Sequence, residues 1–158
     1  RVKSKVIFDF YGPIYDKAYF DTCSQHIANL PSNITVNYKQ SIESDKVSET
    51  LQQYHCLFLP TQGENFGHII LESFTAGCPV IISDKTPWKN LESLNIGYAN
   101  SLHNEAAFVD AIENIAALNQ EQYTAWYKSA FDFGIQHTSN PQILKQNLTL
   151  FDYKQEHE

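Results

Sequence analysis

Methionine is absent from this 158-residue sequence, which begins at Arg1. We therefore expect the chain to be a piece of a longer protein. Cysteine is scarce, and its three positions, Cys23, Cys56 and Cys78, are an odd number without the spacing of a metal site. This pattern argues against a disulfide framework and favours reduced thiols in a cytosolic protein.

Long apolar runs and an excess of basic charge are also lacking. No run approaches the roughly 20 residues that cross a bilayer, so the sequence predicts no transmembrane segment. The 11 Lys and Arg residues are outnumbered by 18 Asp and Glu residues, and the net charge of −7 argues against a nucleic-acid partner. Hydrophobic residues make up 42% of the chain and charged residues 18%, which is typical of a globular protein. We interpret residues 1–158 as a single domain.

Apolar runs rich in β-branched and aromatic residues alternate with stretches of helical period along the sequence. This alternation predicts an α/β fold, in which a parallel sheet is covered by helices on both faces. The predicted strands are residues 5–11, 34–39, 56–60 and 79–83, and the predicted helices are residues 16–30, 46–54, 68–76, 105–118, 121–136 and 141–153.

The loop at residues 61–67, between a predicted strand and a predicted helix, is the first candidate for chemistry. Ligands of parallel α/β sheets bind beyond the carboxyl ends of the strands, where such loops lie. Gly63 and Gly67 allow a close approach of the backbone. The helix starting at His68 begins with unpaired N–H groups and a positive dipole end, which favour a phosphate oxygen.

Two glutamates flank the start of that helix. Glu64 lies in the loop, and Glu72 lies about one turn into the helix, from where its carboxylate can reach the same cleft. A carboxylate accepts two hydroxyl hydrogen bonds and so suits a vicinal diol. Phosphate donors beside two carboxylates fit a sugar nucleotide. From the residues alone, a solvated surface position is an equally good interpretation of each glutamate.

The spacing of Glu64 and Glu72, with Phe66-Gly67 between them and the run GCPVIISD at residues 77–84, resembles the family 4 glycosyltransferases of the GT-B fold. The segments DFYGPI at residues 9–14 and TPWKNL at residues 86–91 are similar to a subgroup of that family. The resemblance implies the Rossmann-like, C-terminal half of a retaining enzyme, which binds the sugar nucleotide. It also implies an N-terminal domain, outside this chain, that binds the acceptor.

The resemblance implies a role for each residue of the loop and the helix start. Glu72 binds the ribose hydroxyls, and Glu64, the catalytic candidate, faces the donor sugar. Glu64 is either a nucleophile or an electrostatic partner, and we favour the latter because a fixed negative charge stabilises an oxocarbenium-like transition state. The remaining donor-binding residues contribute backbone groups. Those of Asn65, Phe66 and Gly67 lie along the sugar, and the N–H groups of His68 and Ile69 meet the distal phosphate.

Other implied features lie outside the loop. The nucleobase is expected near Tyr38 and Lys39, although Gln40 replaces the usual glycine of the family, so the local turn is expected to differ. The donor is a UDP- or GDP-linked sugar, and no metal or other cofactor is expected. The acceptor is a glycan or a lipid, as in polysaccharide biosynthesis. We expect a cytoplasmic enzyme, with any membrane association provided by the other domain. Trp88 is expected to anchor a loop in the core.

The family's strand order, 3-2-1-4-5-6, places the first strand between the second and the fourth. Residues 5–11 match the second strand and residues 56–60 the fourth, so the first β–α unit, with its basic phosphate-binding residues, is expected to lie outside the chain. We expect these two strands to pair directly, or the gap to be filled by a neighbouring molecule. In the other possible register, residues 5–11 form the first strand and Lys17 becomes a candidate phosphate ligand.

Two functional hypotheses remain open besides the transferase. One is a non-catalytic module of the same fold that binds a nucleotide or a protein. The other, a sugar-nucleotide epimerase of related architecture, is disfavoured by the loop motif. In isolation the chain is expected to be catalytically inactive and to bind the donor weakly.

Overall fold

Five strands form the framework of residues 1–139, the part of the chain that this computed structural model describes. Strand β1 (Val6–Phe10) pairs in parallel with β2 (Ile34–Tyr38). Strands β3 (Leu57–Leu59), β4 (Val80–Ser83) and β5 (Gly97–Asn100) form a second parallel sheet in that order. The helices are α1 (Lys17–Ala28), α2 (Val47–Leu51), α3 (His68–Thr75), α4 (Glu105–Ala116) and α5 (Gln120–Thr138), with short 3-10 helices at Ser44–Lys46 and Glu92–Leu94.

Helices cover both faces of the second sheet, which confirms the predicted α/β class. All four residues of β4 are buried, and successive side chains point to opposite faces. Val80 and Ile82 pack against α3 and α5, whereas Ile81 packs against α4. The hydrophobic core therefore lies around β4.

Local sequence signals explain where several helices begin. The side chain of Asp16 accepts a hydrogen bond from the backbone of Tyr19 and caps α1. Helix α5 opens with a reciprocal capping box between Asn119 and Gln122. These helices lie close to their predicted positions.

Two predicted helices and one unpredicted strand mark where the sequence prediction and the described structure differ. The helix predicted at residues 46–54 is reduced to α2 with a preceding 3-10 turn. Strand β5 was not predicted, because its GYAN sequence lacks an apolar run. The helix predicted at residues 141–153 lies outside the described residues.

The predicted direct pairing between residues 5–11 and 56–60 is wrong. Strand β1 forms a ladder with β2, and β3 with β4, so no ladder joins β1 to β3 within residues 1–139. The observed arrangement is thus the expected order with a break at the position of its first strand. A cavity of about 620 Å³ lies at the break, and Ile7 on its wall is 61% exposed. Direct pairing would be favoured if the backbone groups at the break were buried without partners, whereas groups that face an open cavity can bond to water.

Side chains hold the two sheets together across the break. The rings of Phe8 and Phe58 meet edge to face, with centroids 5.9 Å apart. The Tyr54 hydroxyl donates to Oδ2 of Asp9 over 2.7 Å. Glu113 of α4 accepts hydrogen bonds from the backbone and the hydroxyl of Ser4.

No helix in the described part of the chain is both long and apolar enough to cross a membrane.

Candidate functional site

A cavity of about 720 Å³ opens at the carboxyl end of β3, where the loop leads into α3. It brings together most of the residues predicted from the loop motif and adds one residue from the loop after β4. The lining residues are Gly63, Glu64, Asn65, Phe66, Gly67, His68 and Lys85. The cavity therefore lies at the edge of the sheet where ligands of parallel α/β sheets bind.

The start of α3 presents backbone donors at this cavity. Gly67 is the N-cap residue in a left-handed conformation, with φ of 76°, and no side chain of residues 1–139 caps the helix. Its carbonyl accepts from the N–H groups of Ile70 and Leu71. The N–H groups of His68 and Ile69 form no hydrogen bond within residues 1–139, as expected for the first turn of a helix. This end of α3 can accept an anion.

The loop after β4 fixes the loop that carries Glu64. The Glu64 backbone N–H donates to the carbonyl of Lys85 over 3.4 Å, and the Ser83 hydroxyl donates to the carbonyl of Thr61. The indole N–H of Trp88 donates to the carbonyl of Phe66 over 2.6 Å. Trp88 is buried, as predicted for a core anchor.

Lys85 is the lining residue that the sequence interpretation missed. Among the described residues that line the cavity, it is the only lysine or arginine. Its ammonium group lies 4.0 Å from Asp84, and its side chain is about half exposed. A signal was available, because loops after adjacent parallel strands lie at the same edge of the sheet.

Glu72 and Ile69 do not line the cavity in this structure. The side chain of Glu72 is exposed, one turn into α3. The side chain of Ile69 packs on the core, so only its backbone faces the helix start. The predicted contact of Ile69 with the phosphate therefore depends on its backbone N–H. The predicted contact of Glu72 with the ribose depends on whether its side chain extends to the cavity.

Tyr38 and Lys39 also lie outside the cavity, at the carboxyl end of β2. The Tyr38 hydroxyl donates to the carbonyl of Gly12 over 2.7 Å, and its ring packs on Phe10 and Phe20. The turn was expected to differ because Gln40 replaces a glycine. Gln40 nevertheless adopts φ of 63°, the left-handed conformation that glycine adopts readily, so the backbone shows no such difference.

Asp9 forms the centre of a polar cluster beside these residues. Its carboxylate accepts hydrogen bonds from Asn37 and Tyr54, both at 2.7 Å, and lies 3.5 Å from the Lys39 ammonium. The hydrogen bond from Asn37 lowers the pKa of Asp9 most, against the opposing effect of burial, and Tyr54 and Lys39 lower it further. The ammonium of Lys39 is thus already close to a carboxylate.

Within residues 1–139, no group of three His, Cys, Asp or Glu side chains is placed to hold a metal ion.

The parallel sheet, the helices on both its faces and the cavity at its carboxyl edge define a Rossmann-like α/β domain. The chain belongs to the family of Glycosyl transferases group 1, which matches residues 1–133. Residues 1–133 are therefore part of a glycosyltransferase-type domain.

A solved structure supports the fold. The chain is similar to AviGT4, a glycosyltransferase involved in Avilamycin A biosynthesis, with a TM-score of 0.53 and 15% sequence identity. The likeness covers 82% of this chain and 40% of that one, so the chain spans less than half of the length of this relative. The structure resembles the C-terminal domain of a GT-B glycosyltransferase. A comparison with curated proteins found no match.

Proposed function

We propose that this chain is the donor-binding half of a retaining glycosyltransferase, and that it binds a UDP- or GDP-linked sugar in the cavity before α3. The observation that carries the proposal is the coincidence of this cavity with the Glu64–His68 loop in a chain of the Glycosyl transferases group 1 family. Transfer itself requires a second domain that binds the acceptor, a glycan or a lipid.

The diphosphate is assigned to the start of α3. The unpaired N–H groups of His68 and Ile69 are suited to the distal phosphate, and the helix dipole adds about 0.3–1 kcal/mol per anion. Lys85 adds a positive charge on the opposite loop. Because a diphosphate is strongly anionic, a helix start with two unpaired N–H groups beside one lysine favours it over a neutral ligand.

The donor sugar is assigned to the backbone of Asn65, Phe66 and Gly67, with Glu64 beside its anomeric carbon. Glu64 lines the cavity and is half-buried. A carboxylate held there stabilises the positive charge that develops on the sugar as its bond to the phosphate breaks. We assign Glu64 this electrostatic role.

The nucleoside is assigned to the same edge of the domain. Glu72 is exposed, so both its carboxylate oxygens can accept from the ribose hydroxyls. Tyr38 and Lys39 remain the proposed contacts of the base, by their position at the carboxyl end of β2. No metal is required in this scheme.

A cytoplasmic setting agrees with the thiols. Cys56 and Cys78 are free, and burial raises the pKa of Cys56 to about 12 and that of Cys78 to about 11. Such thiols stay protonated and poorly nucleophilic at neutral pH.

Titration of the chain with UDP, GDP and their sugars, followed by amide NMR, tests the proposal. We expect saturable binding at millimolar concentration, with preference for one base and with shifts at residues 64–69. Absence of binding, or binding without any preference for a sugar nucleotide, would contradict it. The latter result would favour the alternative of a non-catalytic module.

A further inference from the structure

Trp88 makes a contact that core packing alone does not require. Its side chain is 6% exposed, and its ring packs edge to face against Phe66 and Phe74, with centroid distances of 5.5 and 5.4 Å. Its indole N–H nevertheless donates to the backbone carbonyl of Phe66 over 2.6 Å. A buried indole N–H needs an acceptor, and here the acceptor belongs to the wall of the candidate site.

That hydrogen bond sets the orientation of the peptide group between Phe66 and Gly67. A trans peptide is planar, and its C=O and N–H point in opposite directions. Since the carbonyl points to buried Trp88, the Gly67 N–H points away from Trp88. This N–H forms no hydrogen bond within residues 1–139. Gly67 lines the cavity, so its N–H joins those of His68 and Ile69 as a donor at the start of α3.

The space around Gly67 supports the same conclusion. A Cβ atom at this position would lie 2.8 Å from Cδ1 of Ile70 and 3.5 Å from Nε1 of Trp88. A side chain at this position would therefore clash with Ile70, and its Cβ would lie in van der Waals contact with the indole, so the turn packs closely on both residues.

Helix α5 packs against Trp88. His137 in its last turn and Phe133 lie against the indole, with centroid distances of 5.0 and 6.1 Å. His137 also approaches the ring of Phe66, at 6.4 Å. The indole is thus fixed between a core helix and the candidate site.

We propose that Trp88 is a positioning residue that directs the backbone N–H groups of Gly67 and the first turn of α3 at the distal phosphate of the donor. This inference rests on the proposed function, because it assigns a phosphate to the cavity. Trp88 itself does not line the cavity and acts through the Phe66–Gly67 peptide.

The test compares Trp88→Phe with Trp126→Phe in the 158-residue chain. The sequence has two tryptophans, and Trp126 packs on Tyr98 on the other face of the sheet, so it is a matched control. Affinities are measured for UDP and UMP, and for GDP and GMP. Loss of one hydrogen bond predicts that Trp88→Phe weakens diphosphate binding about three- to tenfold, with the monophosphate changed less than about twofold. Trp126→Phe is expected to keep the wild-type ratio of diphosphate to monophosphate affinity.

A general loss of stability would weaken both nucleotides alike, so an unchanged ratio in Trp88→Phe overturns the inference while leaving the proposed function intact. If the unmodified chain binds neither diphosphate, the proposed function fails, and the inference fails with it. If Trp88→Phe does not fold, Trp126→Phe still decides, because Trp88 is then the only tryptophan. Its indole N–H resonance must shift when the preferred diphosphate is added, and an unmoved resonance overturns the inference.

Discussion

Glu72 is a residue for which exposure allows binding and folding to be separated. Its side chain is exposed on α3 and forms no side-chain hydrogen bond within residues 1–139. If it binds the ribose hydroxyls, Glu72→Ala should cost about 1–3 kcal/mol of nucleotide affinity and change the free energy of unfolding by less than about 0.5 kcal/mol. Calorimetric titration with UDP and GDP, beside urea unfolding, checks both values. Equal nucleotide affinity in the two proteins would remove Glu72 from the site.

A change at Glu64 should affect turnover but not nucleotide binding. Because it is assigned to the sugar and not to the nucleotide, Glu64→Gln should leave UDP or GDP binding nearly unchanged. In the complete enzyme the same change should lower kcat sharply, since glutamine keeps the shape but not the negative charge that stabilises the transition state. The measurement is the rate of sugar transfer by an enzyme that carries both domains. Full activity of the variant would contradict the assignment.

Lys85 tests the electrostatic part of the proposal. Its side chain is about half exposed, so solvent screens its charge, and we expect Lys85→Met to weaken UDP or GDP binding only about two- to fivefold. The dependence of the affinity on salt should decrease with it. The control is Lys46→Met. Lys46 is an exposed lysine on the turn before α2, where it pairs with Glu49. If the two variants bind alike, Lys85 is not a phosphate ligand.

At the scale of the elements, the sequence predicted best where the signals were local. The start of α3 at His68 and its end before Gly77 followed from one glycine-rich loop and one left-handed glycine, which has φ of 75° in the structure. The all-apolar run of β4 predicted a strand buried on both faces. Strand β5 escaped prediction because its pairing partner, and not its own sequence, makes it a strand.

The site shows the same division. The loop at residues 61–67 was predicted from its own sequence, and its residues 63–67 line the cavity together with His68. Lys85 and Trp88 were not assigned to the site, because their contacts join two loops more than 20 residues apart, and the register of β3 against β4 sets those contacts. Residue spacing along one loop carries no information about that register.

The contact between α3 and α5 depends on a missing side chain. A Cβ atom at Gly134 of α5 would lie 2.6 Å from the backbone nitrogen of Thr75 and 2.7 Å from the carbonyl carbon of Phe74. Backbone cannot yield as a flexible side chain can, so Gly134→Ala should push the helices apart and lower the free energy of unfolding by about 1–3 kcal/mol.

Urea unfolding checks this expectation. By intrinsic propensity alone, alanine would stabilise a helix relative to glycine by about 1 kcal/mol. Ala125→Gly, on the exposed side of α5, measures this difference in helix propensity and should lower the free energy of unfolding by about 1 kcal/mol. A Gly134→Ala protein more stable than the unmodified chain would show that the two helices are not in close contact.

At the scale of the whole molecule, burial is divided unequally between the two sheets. None of the first 50 residues is fully buried, although β1 and β2 are rich in apolar side chains. The hydrophobic clusters of residues 1–139 are instead built from Val47 and the residues that follow it. The first sheet is therefore held to the second chiefly by side-chain contacts at the break. Asp9 and Tyr54 form one of these contacts, and Ser4 and Glu113 form another.

Acid should weaken the contact at Asp9. Hydrogen bonds from Asn37 and Tyr54 and the charge of Lys39 hold the pKa of Asp9 below its ordinary value of 3.8, against the effect of burial. The unfolded chain then binds a proton at a higher pH than the folded one. The stabilisation from Asp9 is therefore complete above that ordinary value and is lost as the pH falls through the lower, folded pKa. Asp9→Asn should cost about 1–3 kcal/mol at neutral pH and flatten this part of the acid dependence.

Urea unfolding from neutral pH down to about pH 2 separates Asp9 from the other carboxylate that joins the sheets. Hydrogen bonds from Ser4, together with the backbone N–H of Lys3, also lower the pKa of Glu113, so Glu113→Gln should flatten the acid dependence as well. If each carboxylate acts on its own contact, the double variant should show the sum of the two changes. An acid dependence unchanged by Asp9→Asn would mean that the cluster around Asp9 does not hold the two sheets together.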